Sequence, residues 1–202
     1  IAQWNLARFA ETLLPLIDAD EDRAVTLASE AVHAFIGRFD VHFLQRMRSK
    51  IGLASAEDGD TELIKRLFAT MQAGEADFTL TFRRLADVAE HSDREDQLRE
   101  LFTETANIEP WLQEWDARLK RDPKTAIERA ANMRRVNPEI IPRNHRVQAA
   151  LDTAVESGDI EPFRRLLTIL QRPYDSQPEA AEYTLPPPPS EGTIDGGEMC
   201  PQ

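Results

Sequence analysis

From residue 2 to residue 171 the apolar residues recur at three- and four-residue intervals, and no useful length of the chain alternates with a period of two. That pattern restricts the chain to an all-α architecture of several helices. Punctuation divides it. Gly, Pro and Asn/Asp positions separate the periodic segments, and no Asn-Gly or Asp-Gly pair lies between two β-rich runs. No fixed period with recurring residues appears, so a stacked-repeat array is not expected.

The first segment, residues 2–17, places Trp4, Leu6, Phe9, Leu13, Leu14 and Ile17 at helical spacing, and Pro15 is expected to bend or end it. The acidic run Asp18 to Asp22 should turn the chain and supply a negative first turn to the next helix. It lacks the central glycine and distant glutamate of a calcium loop. Residues 22–51 read as one long helix or a pair kinked at Gly37. His33 and His42 sit on it as surface or packing residues. A loop follows at 52–60, with Asp60 or Thr61 expected to cap the helix carrying Leu63 to Met71, and Gly74 to close it. Asp77 is expected to cap the helix through Phe78, Leu80, Phe82, Leu85 and Val88. Trp111 and Trp115, four apart with Pro110 in the first turn, read as core; Asp122-Pro123 reads as the start of a helix through Met133.

Residues 137–147, NPEIIPRNHRV, hold two prolines, two asparagines, two arginines and a histidine. Pro138 and Pro142 each remove a backbone donor and push the preceding residue out of the α region. The connection is therefore stiff. It either staples helices together or presents a polar recruiting patch through Arg143, Asn144, His145 and Arg146. On the staple reading, Arg143 and Asn144 bond to neighbouring elements and do not face open solvent. A helix stopped by Gly158 follows, then a last strong helix over 160–171 ended by Pro173. The expected domain spans 1–178, and residues 179–202, with a proline run and then glycines, form a flexible tail.

Composition narrows function. The net charge of −12 over 202 residues disfavours bulk attraction to nucleic acid or an anionic membrane. No run of 18 apolar residues offers a transmembrane helix, and no signal peptide is expected. One cysteine forbids an internal disulfide, which fits a reducing, cytoplasmic setting. There is no GxGxxG, no GxxxxGK[ST] and no kinase-type HRD loop; His145-Arg146 is followed by Val147. Four scattered histidines and one tail cysteine make no recognisable zinc set. No catalytic, cofactor-binding or metal-ligating residue is assigned.

Four blocks carry a resemblance: WNLARFAETLLPLI at Trp4–Ile17, DFTLTFRRLA at Asp77–Ala86, NPEIIPRNHRVQAAL at Asn137–Leu151 and FRRLLTILQRPY at Phe163–Tyr174. In order and content they resemble the C-terminal part of the selenoprotein O family. The resemblance implies a kinase-like adenylyltransferase using ATP with Mg or Mn, whose nucleotide and metal ligands lie upstream of Ile1. It therefore implies a fragment without those ligands, partnered by the upstream catalytic lobe and by the protein substrates of the parent. It also implies a redox role for Cys200, third from the end as in many members, although Pro201 and Gln202 stand where two serines are usual. The expected role is to brace or regulate the catalytic lobe; the alternative is a helical adaptor. A piece of a larger protein should also expose apolar side chains on its first helix, among Trp4, Leu6, Phe9 and Leu13.

Overall fold

A computed structural model of the chain describes residues 1–103 and 108–188. Cys200 lies outside the described residues. Every regular element among them is helical. In chain order these are α1 (Ala2–Ile17), α2 (Glu21–Lys50), α3 (Asp60–Ala73), α4 (Phe78–Glu90), a 3-10 turn (Ser92–Arg94) and α5 (Glu95–Arg99). Then come α6 (Glu109–Leu119), α7 (Ala126–Val136), α8 (Asn144–Ser157), α9 (Glu161–Leu170) and a 3-10 helix (Pro178–Thr184). The chain divides into two compact units, Ile1–Met47 and Arg48 onward.

The first unit is made by α1 and the larger part of α2. Pro15 does not stop α1 at once; it lies in the last turn, and the helix ends at Ile17. The acidic run behaves as its chemistry requires. Asp18 Oδ1 accepts from the Asp20 amide at 3.0 Å, Asp20 Oδ1 accepts from the Arg23 amide at 3.0 Å, and Glu21 and Asp22 occupy the first turn of α2. Ala7, Ala10 and Leu14 of α1 line one groove with Val25, Ala28 and Val32 of α2. No residue of α1 is fully buried, and Trp4 (65% exposed), Phe9 (60%) and Leu16 (83%) stand open. The expected exposed apolar face on the first helix is present. Gly37 is not a kink: α2 runs through it, and a Cβ there would meet nothing within 4 Å.

In the second unit α4 packs along α7, α3 along α6 and α8 along α9. Helix α4 is central, which is why it buries a broad face: Thr81, Phe82, Arg83, Leu85, Ala86, Val88 and Ala89. Leu67, Leu85, Leu98, Ile108 and Met133 join Phe82 with almost no exposure, each contributing about 1.5–3 kcal/mol. Trp111 and Trp115 are core, as their spacing predicts. Their rings stack at 5.6 Å, and each indole N–H finds a carbonyl at 2.8 Å, Leu63 O for Trp111 and Ile51 O for Trp115.

Helix starts depart from expectation in two places. Asp60 is no cap; α3 starts on it, and its carboxylate is buried in an ion-pair cluster. Asp122-Pro123 does not open α7. Thr125 does, through a capping box with Glu128, while Asp122 accepts from the amides of Ala54 and Ser55 at 2.7 and 3.1 Å. Gly74 closes α3 as expected, although it is not the left-handed residue of the cap. Glu75 takes that conformation at φ 52°, with Ala76 N–H bonded to Met71 O and Glu75 N–H to Gln72 O. The glycine is needed because a Cβ would lie 2.5 Å from Phe102.

Gly52 closes α2 in the same double-bonded manner, with Leu53 N–H to Arg48 O and Gly52 N–H to Ser49 O, and it does carry the positive φ, +83°. A Cβ there would sit 2.7 Å from Met133 Sδ and 2.8 Å from Arg129 Cγ. Gly52→Ala is therefore expected to destabilise the fold by about 2–4 kcal/mol, strain plus overpacking. Urea denaturation checks it; an unchanged midpoint would refute the close approach.

The packed structure continues past Pro178. Residues Pro178–Thr184 form a 3-10 helix with Ala180 buried against Ile140 and Ile169, so this part of the expected tail is folded.

Candidate functional site

The stretch Asn137–Val147 bonds to the end of α2, to α4, to the chain after α9 and to the C-terminal 3-10 helix. Asn137, which caps the C-terminus of α7, is fully buried. Its side-chain amide donates to Lys50 O at 2.8 Å, and its side-chain carbonyl accepts from Lys50 Nζ at 3.0 Å. The Lys50 ammonium is pulled below its ordinary range by burial. The backbone amides of Glu139 and Ile140 both reach Pro173 O, at 2.7 and 3.2 Å. Arg83 of α4 donates to Asn137 O and Tyr174 O and pairs with Glu139 at 2.8 Å.

Arg143 is 7% exposed. It grips Asp77 with both terminal nitrogens, at 2.8 and 3.0 Å, and Thr184 O at 3.0 Å. Asp77 also accepts from the Leu80 amide at 2.8 Å, so the cap of α4 and the start of α8 share one carboxylate. Arg146 donates to Glu182 O at 2.9 Å. The four residues offered as a patch thus separate. Arg143 is a staple. Arg146 is half-buried beside the 3-10 helix, and His145 is half-buried at the start of α8. Asn144 corrects the expectation: it is exposed as the first residue of α8, and its side chain makes no hydrogen bond among the described residues. The buried asparagine is Asn137. A helix N-cap position explains the difference, because Arg143 takes it and Asn144 is rotated outward.

A second cluster was not legible in the sequence. Asp60 accepts from Arg48 Nε at 2.6 Å, Arg118 Nε at 2.8 Å and the Glu57 amide at 2.9 Å. Arg118 also donates to Ser55 O at 2.8 Å and approaches Glu57 at 3.2 Å. Arg118 lies on the buried face of α6, at the i+3 position from Trp115, and that placement was the only available signal.

Burial favours the protonated form of Asp60, Asp77 and Asp122, yet hydrogen bonds outweigh it. Arg118, the Glu57 amide and Arg48 lower Asp60; Arg143 and the Leu80 amide lower Asp77; the Ala54 and Ser55 amides lower Asp122. Because each folded pKa lies below the unfolded value near 4, this stabilisation is complete above about pH 4 and lost as pH falls through the folded values. Stability measured by urea titration is expected to drop steeply below about pH 4. A flat profile from pH 6 to 3 would contradict it.

Each of these carboxylates already faces a guanidinium or backbone amides. Among the described residues no group of three His, Cys, Asp or Glu side chains could hold a metal ion. The carboxylates of these two clusters are engaged within the fold, and no chemical step is assigned to them. No helix of the described residues is long and apolar enough to cross a membrane.

The family model described as "Protein adenylyltransferase SelO" matches residues 1–171. The chain belongs to the SelO family. Among curated SelO-family relatives, the "Protein nucleotidyltransferase YdiU" of Rhizobium leguminosarum bv. trifolii and that of Rhizobium etli are each 54% identical over 96% of this chain. The protein of that name from Bradyrhizobium sp. (strain BTAi1) is 47% identical over the same share. The chain spans 39% of the length of each of these relatives. The SelO match includes α1, the Asp77 cap, the Asn137–Val147 staple and α9, and so takes in the blocks that carried the resemblance as far as residue 171.

Proposed function

We propose that this chain is the helical C-terminal part of a protein adenylyltransferase, and that it braces the catalytic lobe of the parent. The parent transfers AMP from ATP, with Mg or Mn, to hydroxyl side chains of protein substrates in the cytoplasm. The observation that carries this reading is the SelO-family match over residues 1–171 by a chain that spans 39% of its relatives' length. Two structural features support a bracing role. Arg143 in the staple and Asp60 in its cluster are held in buried ion pairs, with Asp77 and with Arg118, which suits a rigid support. The exposed Trp4, Phe9 and Leu16 of α1 offer an apolar face of the kind that a larger assembly covers. An adaptor recruiting substrate through the Arg143–Arg146 patch is weakened because Arg143 is already paired with Asp77.

The test compares three proteins: the isolated chain, the full-length parent, and the parent lacking residues 1–174. Transfer of labelled AMP from ATP with Mg or Mn is expected from the full-length parent, and to be lost or strongly reduced in the truncated form. Calorimetry of the isolated chain with ATP and magnesium is expected to show no binding. Micromolar binding by the isolated chain, or undiminished transfer by the truncated parent, would overturn the proposal.

A further inference from the structure

The 3-10 helix Pro178–Thr184 lies as a strap over Ile140, Ile169 and Leu170, with Ala180 as its buried side chain. At its start the Gln177 amide donates to Ile169 O at 3.1 Å and Arg172 O at 2.8 Å. Past Ala180 the strap is held by arginines. Arg146 donates to Glu182 O at 2.9 Å, and Arg143 to Thr184 O at 3.0 Å. The Glu182 carboxylate lies 3.6 Å from both Arg146 and Arg165. Both guanidiniums also lie over the Tyr183 ring, at 5.5 and 5.9 Å. The Nε of Arg146 is buried and makes no hydrogen bond.

These contacts describe a recognition pattern: a small residue in an apolar slot, then Glu-Tyr on a pair of arginines. They also describe a weak hold. Ala180 is the one buried residue of Pro178–Thr184, the ion pairs of Glu182 are long, and Glu182 and Arg165 are each more than half exposed. Segments with so few buried contacts open locally at a fraction of the global stability. Opening would present Ile140, Ile169, Arg146 and Arg165 together.

We propose that this groove is a docking site for an acidic–aromatic segment of a partner protein, and that residues 177–185 are its occupant in cis. The partner segment carries Glu-Tyr preceded by a small residue, the chemistry that the strap itself displays. While the strap is closed, the apparent affinity for a partner is reduced by the fraction of molecules open. The inference goes beyond adenylyl transfer and does not depend on it, since its readout is peptide binding.

The probe is a fluorescent synthetic peptide of residues 177–188, QPEAAEYTLPPP, added to the full chain. The Glu182→Ala/Tyr183→Ala variant, with its strap weakened, is expected to bind the peptide at least about tenfold more tightly than the unaltered chain. Adding Arg146→Ala and Arg165→Ala to that variant should abolish the gain, and a peptide with alanine in place of its tyrosine should bind no variant. Hydrogen exchange on the unaltered chain supplies a measurement free of any folding defect. Amides of 177–185 are expected to exchange well before those of α4 and α6. Equal binding by the folded variant and the unaltered chain, or strap amides as protected as those of α4, would overturn the proposal and leave the strap as fixed structure.

Discussion

Asp60→Ala is expected to destabilise the chain by about 3–5 kcal/mol, the cost of leaving a buried charge without its partner. Asp60 is 1% exposed and holds two arginines, Arg48 at 2.6 Å and Arg118 at 2.8 Å. Arg118 is itself almost fully buried, and its Nη1 makes no hydrogen bond although Glu57 lies 3.2 Å away. Without Asp60 that guanidinium keeps Ser55 and the approach of Glu57 but loses its closest anion. The midpoint of thermal unfolding should fall by roughly 10 °C or more. Replacing Asp60 together with its most buried partner, Asp60→Leu with Arg118→Met, should recover part of the loss, because only Arg48, which reaches solvent, is then left without its anion. A double variant as unstable as the single one would show that the cluster stabilises by geometry and not by charge pairing.

Arg143→Ala and Asn144→Ala are adjacent substitutions with opposite expected outcomes. The first removes a bidentate grip on Asp77 and a bond to Thr184 O, and is expected to cost about 2–4 kcal/mol. Asp77 retains the Leu80 amide, so the cap of α4 survives and the loss falls on the junction of α4, α8 and the 3-10 helix. Asn144→Ala alters an exposed first-turn residue and should change stability by no more than about 0.5 kcal/mol. Paired urea titrations of the two variants decide between staple and patch. Equal stability for both, with loss of substrate binding in the parent, would restore the recruiting-patch reading.

Local chemistry was legible wherever one residue's neighbours in sequence settle its role. The Asp18–Asp22 turn, the Asp77 cap, the Trp111/Trp115 pair and the Gly158 stop at φ 72° all follow from period and capping rules. Thr125 and Glu128 could have been read as a capping box, but Asp122-Pro123 offered a competing start, and the contact that decided between them lies far away at Ala54 and Ser55. Gly74 shows the same limit: its position marks a helix end, while the reason for glycine is the Phe102 ring from another part of the chain. By itself the sequence determined the helical class, most helix ends, the stiffness of Asn137–Val147 and the family. Only the tertiary structure decided which polar groups are buried, because partner choice among arginines and carboxylates depends on long-range proximity. It set Asn137 inward and Asn144 outward, joined Asp60 to Arg118, and brought Glu182 and Tyr183 back onto Arg146 and Arg165.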